Sequence, residues 1–274
     1  MEVSNFNDKR ICLEEDKMIF FLTDWGNSYY VGVAKGVINS ISPDSKIIDI
    51  SHSIDLFDIE ETAHIIERVF KDLPQRSTLL CVVDPGVGSE RKALAVEANE
   101  RFIVAPDNGV LTRILDFYDV KARSIENPKY MYRYPPSKTF HGRDIFAPAA
   151  AYIEKGVRIE EFGPEVDTFK KVEIKPPCVS VGKIETYVSY VDSFGNLETI
   201  VSMKDFLDAG ISGKYILLNG KRAIFTDNYA DGKKEFILVH VDSSGYFEIS
   251  SSTGKASEIL GLKKRDKITF ENFD

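Results

Sequence analysis

Residues able to do chemistry on a water molecule stand in two unusual runs of this sequence. Val82-Val83-Asp84-Pro85-Gly86-Val87-Gly88-Ser89 closes an apolar strand and leads at once into Glu90-Arg91-Lys92. Thr139-Phe140-His141-Gly142-Arg143-Asp144 opens a helix of small residues, Ile145-Phe146-Ala147-Pro148-Ala149-Ala150-Ala151. A strand ending in Asp-Pro-Gly must turn while it exposes a carboxylate at its sheet's carboxyl edge, the edge where open α/β sheets bind ligands. Asp84, Arg91 and His141 thus offer an acid, a guanidinium and an imidazole, enough to orient and deprotonate a water. At a helix start the dipole favours a neutral imidazole, which can accept a proton. The three together predict an enzyme.

Other polar positions have a plainer reading beside the chemical one. Asp24, in Leu22-Thr23-Asp24-Trp25-Gly26, is placed to cap a helix or to accept hydrogen bonds from both hydroxyls of a ribose. Asp107-Asn108-Gly109 reads as a turn that shapes a pocket wall. His52 and His64 have no evident partners and read as structural. Asp192-Ser193-Phe194-Gly195-Asn196 is a turn after a strand, yet an aromatic face beside a side-chain amide also suits an adenine ring.

The elements that must position these residues fall into two halves. Met18 to Leu22, Lys46 to Ile50, Thr78 to Val83, Ala93 to Glu97 and Phe102 to Ala105 read as strands. Tyr30 to Ile41 reads as a helix with apolar Val33, Val37 and Ile41, and Asp58 to Leu73 as one with a stripe of Ile59, Ala63, Ile66 and Phe70. This alternation predicts an α/β fold, an N-terminal sheet covered by helices, over residues 18–176. Beyond Lys175-Pro176-Pro177 the period becomes two, over Gly182 to Val191, Tyr215 to Leu218, Arg222 to Thr226, Phe236 to His240 and Tyr246 to Ser250. Turns at Asn219-Gly220, Asp231-Gly232 and Ser244-Gly245 separate them, predicting a smaller antiparallel, β-barrel-like domain over residues 177–274. Residues 1–17 form an extension, an edge element or a mobile arm.

Composition narrows the partners. The chain has 274 residues, 43% hydrophobic and 28% charged, as in an ordinary soluble protein, and its length favours two domains. A net charge of −8, a pI of about 5.2 and the lack of a basic stretch argue against nucleic acid. No apolar run approaches the ~20 residues of a membrane span. The polar, acidic start is unlike a signal or transit peptide. Cys12, Cys81 and Cys178 show no metal-ligand spacing, which fits a reduced cytoplasmic setting.

Six motifs in order carry a resemblance. Thr23-Asp24-Trp25-Gly26, Ser51-His52-Ser53-Ile54, Val83-Asp84-Pro85-Gly86-Val87-Gly88, Ala105-Pro106-Asp107-Asn108-Gly109, Phe140-His141-Gly142-Arg143-Asp144 and Asp192-Ser193-Phe194-Gly195-Asn196 resemble those of the S-adenosyl-L-methionine hydroxide adenosyltransferase family, whose SAM-hydrolysing enzymes are related to fluorinases and chlorinases. The resemblance implies a homotrimer with S-adenosyl-L-methionine (SAM) held between one subunit's first domain and its neighbour's second. Water attacks the ribose C5′, and adenosine and methionine form without metal or other cofactor. It implies a water-activating set of Asp84, Arg91 and His141, a ribose carboxylate at Asp24 and an aromatic over the sugar at Phe57. Asp192, Phe194 and Asn196 are the implied contacts to the amino acid and adenine, and Ser243 to the methionine end. Halide-using relatives carry tyrosine in place of Asp84 and Tyr-Ser in place of His141-Gly142. The chain departs from the family at Asn27-Ser28-Tyr29-Tyr30, one residue short and without a common aspartate, and at Glu198-Thr199-Ile200 in place of Thr-Asn. Two other functions fit the same residues: a metal-dependent hydrolase built on Asp24, Asp84, Asp107 and His141, and a SAM- or adenosine-binding protein without turnover.

Overall fold

The computed structural model describes residues 17–227 and 237–273. Residues 1–16 of the extension, with Cys12, and the Asp231-Gly232 turn and Phe236 lie outside them. Two compact units form. One takes the chain up to Asp58 and resumes over Asp72–Lys170; the other takes Ile59–Lys71 and the chain from Lys171 onward. No helix among the described residues is long and apolar enough to cross a membrane.

In chain order the first part of the protein forms β1 (Met18–Thr23), α1 (Tyr29–Ile41), β2 (Lys46–Ser51), α2 (Ile59–Phe70), β3 (Thr78–Val82), β4 (Ala93–Ala98), β5 (Arg101–Pro106), α3 (Thr112–Phe117), β6 (Val120–Ser124) and α4 (Ala147–Glu154), the last preceded by a π-helical turn over Gly142–Phe146. The strands of the first unit make one sheet in the order β2-β1-β3-β5-β4-β6. β1, β2, β3 and β5 run parallel, and β4 runs antiparallel to both β5 and β6. Ile19, Phe21, Leu80, Val82 and Val104 of the sheet share a core with Ala34, Val37 and Ile38 of α1 and with the alanines of α4. Those small side chains let α4 lie close to its neighbours. The buried face of α1 is Ala34, Val37 and Ile38, a rotation from the expected Val33, Val37 and Ile41, because Val33 turns outward.

The second unit contains α2 and then β7 (Cys178–Ser180), β8 (Lys183–Tyr187), β9 (Tyr190–Val191), β10 (Leu197–Ser202), α5 (Met203–Ala209), β11 (Tyr215–Leu218), β12 (Lys221–Phe225), β13 (Leu238–Val241), β14 (Tyr246–Ser250), α6 (Ala256–Leu260) and β15 (Lys267–Asn272). Its strands form a sheet in the order β7-β8-β15-β11-β12-β13-β14-β10-β9. The sheet is antiparallel except for a parallel pairing of β12 with β13. Phe206 stacks on Phe247 with ring centroids 3.7 Å apart, and Phe270 meets both rings. This aromatic cluster centres the second core. The polar face of α2 is tied to the sheet: Arg68 reaches Glu198 and Asp242, and Tyr246 donates to Glu67 at 2.6 Å.

Candidate active site

The chain leaves β1 toward β2 and leaves its other neighbour, β3, toward β4 and β5, so these adjacent parallel strands are left in opposite directions. This is a topological switch point, which opens a crevice beyond the strand ends. Thr23 pairs with Val82 across β1 and β3, so Asp24 and Asp84 emerge side by side at that crevice.

Asp84 is bound there by a guanidinium fork. Arg91 Nε donates to Asp84 Oδ1 at 2.8 Å, and Arg91 Nη2 makes a short bond to Oδ2. The same Nη2 lies 2.8 Å from His141 Nδ1, and the Phe146 ring lies under the guanidinium at 5.0 Å. Asp84 is 8% exposed and His141 9%, while the Arg91 side chain is 4% exposed. Asp84 and His141 line the cleft, and Arg91 stands behind them. Burial and the Arg91 charge push the His141 imidazole below its ordinary pKa, so the ring is neutral near pH 7.

Local sequence explains how the trio is presented. Pro148 has no N–H to give the carbonyl four residues back in the helix, and the free carbonyl of Asp144 instead accepts from Tyr132 N at 2.9 Å. The wholly buried Asp144 side chain takes Ser137 N at 2.8 Å and both prongs of Arg143. The loop before His141 is thereby held at two points, and the helix opens with a π turn, a form often found at functional sites. Two glycines let the surrounding parts close up. A Cβ on Gly142 would stand 2.5 Å from the Trp25 ring, and one on Gly88, at φ +78°, would stand 2.2 Å from the Lys138 carbonyl.

Asp24 accepts from Phe57 N at 3.0 Å through Oδ2. Phe57 adopts a left-handed backbone, φ 64°, unusual for a non-glycine residue, and its ring stays exposed at the cleft. Burial raises the Asp24 pKa, opposed by the Phe57 amide and reinforced by Asp84. The cleft holds about 260 Å³, just under the usual range for small-molecule sites. Its remaining walls include Trp25, Tyr30, Leu56, Val87, Thr139 and Phe140. None of these was singled out from sequence as a site residue, although each lies within a few residues of Asp24, Phe57, Asp84 or His141.

His52 and His64 are not without partners. His52 Nδ1 lies 2.9 Å from the Thr23 hydroxyl, its Nε2 3.1 Å from Asp49 Oδ1, and its carbonyl accepts from Gly26 N at 2.6 Å, which fixes the turn bearing Asp24. His64 lies 2.8 Å from Glu198. Asp107 is engaged by Lys170 N at 2.9 Å, and Asn108 Nδ2 donates to the Val83 carbonyl beside Asp84 at 2.9 Å. Among the described residues Asp24, Asp84, Asp107 and His141 do not gather their ligand atoms within 4.8 Å of one another. The donor set of the metal-hydrolase reading is therefore not assembled.

The remaining candidates lie in the second unit. Asp192 Oδ1 accepts from Phe194 N at 2.9 Å and Asn196 N at 2.8 Å, and Oδ2 from Asn196 Nδ2 at 2.9 Å. The turn is self-contained, and it leaves the Phe194 ring 76% exposed. Ser243 lies in the β13–β14 turn, where its carbonyl accepts from Lys71 Nζ at 2.7 Å. Leu197 pairs with Ile249 and Ser202 with Tyr246, so these two turns stand at opposite ends of the β10–β14 ladder, roughly 10 Å of strand apart. Glu198 turns to α2, where it meets His64 and Arg68.

The chain matches the SAM hydroxide adenosyltransferase N-terminal domain over residues 19–163 and the C-terminal domain over residues 186–269. It belongs to the SAM hydroxide adenosyltransferase family. The chain is similar to a protein of Salinispora tropica named (R)-S-adenosyl-L-methionine hydrolase, 31% identical over 91% of this chain and 96% of that one. It is more distantly similar to the fluorinase of Actinoplanes sp., at 25% identity over 92% of this chain and 96% of that one. A crystal structure of an uncharacterized conserved protein from Thermotoga maritima superimposes with a TM-score of 0.88 at 39% identity, covering 93% of this chain and all of that one. As an adenosyltransferase-family chain, this protein keeps its acid, guanidinium and imidazole where its two parallel central strands end.

Proposed function

We propose that this chain hydrolyses SAM to adenosine and L-methionine. The observation that carries the reading is the Asp84–Arg91–His141 cluster beside Asp24 at the switch point of a chain from this family. A sulfonium leaves as a neutral thioether and needs no acid, so the site must supply an oriented oxygen nucleophile in line with the C5′–S bond. Attack by a hydroxide-like oxygen cancels opposite charges, which a cleft drier than bulk water favours. Asp84 and His141 hold the water, with Arg91 behind them. Asp24 has one carboxylate oxygen engaged by Phe57 N and keeps the other for the ribose diol. Phe57 covers the sugar. Asp192, Phe194, Asn196 and Ser243 receive the adenine and the amino acid. No step calls for a metal or other cofactor.

The working form in this reading is a cytoplasmic homotrimer in which SAM lies between one subunit's first domain and its neighbour's second. The exposed side chains of Tyr30, Leu56 and Phe57 at the cleft, and of Phe194 on its turn, support it: apolar rims of this kind mark surfaces that are covered in use. Incubation of the full chain with SAM, followed by mass spectrometry, is expected to give adenosine and methionine in equal amounts. Binding of SAM with no adenosine would make the protein a binder. Mixing Asp24→Ala with Asn196→Ala under subunit exchange is expected to restore part of the activity, and full activity in a monomer would overturn the shared site.

A further inference from the structure

Within that hydrolytic reading, we propose that the trio divides its work: Asp84 takes the proton from the attacking water, and His141 remains neutral and donates its Nε2–H to the water oxygen. The argument turns on the 2.8 Å approach of Arg91 Nη2 to His141 Nδ1. A guanidinium carries only donors, so Nδ1 must present its lone pair to it. A neutral imidazole has one proton, and the hydrogen-bond network places it on Nε2. A nitrogen that already bears hydrogen cannot act as a base. For His141 to take a proton at Nε2, its ring would first have to become the Nδ1–H tautomer and set two N–H groups against each other across 2.8 Å.

Asp84 is in the opposite condition. Its two oxygens offer about four acceptor directions, and the Arg91 fork uses one on each. Acceptor capacity therefore remains. Asp84 and His141 both line the cleft while Arg91 does not, so a water between them meets an acceptor on one side and a donor on the other. When the O–C5′ bond forms, the water proton passes to Asp84 and the C5′–S electron pair returns to sulfur. Methionine departs, and Asp84 then releases the proton to solvent. His141 keeps its proton throughout.

Two measurements on the full chain test this division. Glutamine can accept from Arg91 through its carbonyl and donate through its amide, yet cannot be a base. His141→Gln is therefore expected to hold turnover within roughly tenfold of the parent, while His141→Ala and Asp84→Asn each fall by about 10² or more. Its activity should also persist to lower pH than the parent's, since no imidazole is left to protonate. Independently, long-range ¹H–¹⁵N spectra of the parent should show His141 as the Nε2–H tautomer near pH 7. The His141 signals are those missing from His141→Gln or, if that chain does not fold, those that survive in variants at His52, His64 and His240. An Nδ1–H tautomer, or a folded His141→Gln as slow as His141→Ala, would overturn the assignment. A parent that forms no adenosine would instead sink the hydrolase reading, and the spectra would still decide the tautomer.

Discussion

The chain assembles a carboxylate, an arginine and a histidine twice, and the order of the three differs. In the first unit Arg91 stands in the middle, donating to Asp84 on one side and to His141 on the other. In the second unit the carboxylate stands in the middle. Glu198 Oε2 takes Arg68 Nε at 2.5 Å and His64 Nε2 at 2.8 Å, and Arg68 continues to Asp242 at 3.0 Å. An arginine at the centre spends its own donors and leaves the acid and the ring each with an unused edge toward the cleft. An acid at the centre draws both neighbours' donors onto one oxygen. The first order leaves groups for a substrate, and the second makes a cross-link between α2 and β10. Burial alone would push the Glu198 carboxyl up, but His64 and Arg68 together hold it below its ordinary range. In the proposed reading, what separates the two clusters is not their residue composition but the residue at the centre.

The sharpest way to break this comparison is to disable each cluster. Asp84→Ala is expected to lower turnover by roughly 10²–10⁴, the range for losing a positioned proton-transfer group, and Arg91→Ala and His141→Ala by roughly 10²–10³, the range for losing a fixed donor, with SAM binding retained by calorimetry. Arg68→Ala leaves two partly buried carboxylates without their cation and is expected to cost about 1.5–3 kcal/mol in urea unfolding. Glu198→Gln, being milder, should keep turnover close to the parent's. Near-normal turnover in all three first-cluster variants, or collapse of turnover in a folded Glu198→Gln, would erase the distinction.

Much of this was legible in the sequence, and the limits are physical. Strands β3, β11 and β14 follow from their apolar patterns, and the Asp-Pro-Gly and His-Gly runs mark the candidate site because so few turns need that chemistry. Arg91 in a charged triplet gives no such signal. Its partners lie 7 and 50 residues away, and only the fold brings them to one guanidinium. The amphipathic pattern finds α2, but its membership in the second unit rests on ion pairs to residues about 130 to 174 positions onward. β10 and β15 are harder to read, because the buried face of Leu197–Ser202 includes the polar Thr199 and Lys267–Asn272 buries only Ile268 and Phe270, so each apolar alternation is short.

A third buried acid sharpens the comparison by lacking an arginine. Glu154 accepts from the Thr78 hydroxyl at 2.6 Å. Burial raises its pKa to about 7, with Thr78 and the Met18 amide opposing the rise and Lys17 adding a weaker attraction. Because the folded-state value lies above the ordinary one, the stability tied to its protonated form is complete below about pH 4.5 and is lost as pH rises through 7. Glu154→Gln keeps an acceptor for Thr78 but does not titrate. Unfolding free energies of parent and variant should diverge in the variant's favour by roughly 2–3 kcal/mol between pH 4.5 and pH 8. A constant difference across that range would show that Glu154 ionises freely in the folded protein.

The smallest expected effect is a product that does not appear. With Arg91 occupied by Asp84 and by a neutral imidazole, an anion entering the cleft meets the Asp84 carboxylate, and no cation stands among the described residues that line it. Two like charges about 4 Å apart repel by about 4 kcal/mol at an effective dielectric of 20, and the Arg91 charge, set behind Asp84, offsets only part of it. Water feels no such repulsion and gains an acceptor. In high chloride or fluoride the product should remain adenosine, with no 5′-halo-5′-deoxyadenosine by mass spectrometry, and in ¹⁸O-labelled water the label should enter the 5′-hydroxyl. Asp84→Ala removes the charge while leaving Arg91 a free donor pair, so trace halogenation, if it arises anywhere, should arise in that variant. Halogenated nucleoside formed by the parent as fast as adenosine would mean that Arg91 is not held by Asp84 during turnover, and the arginine-centred order would lose its meaning for the chemistry.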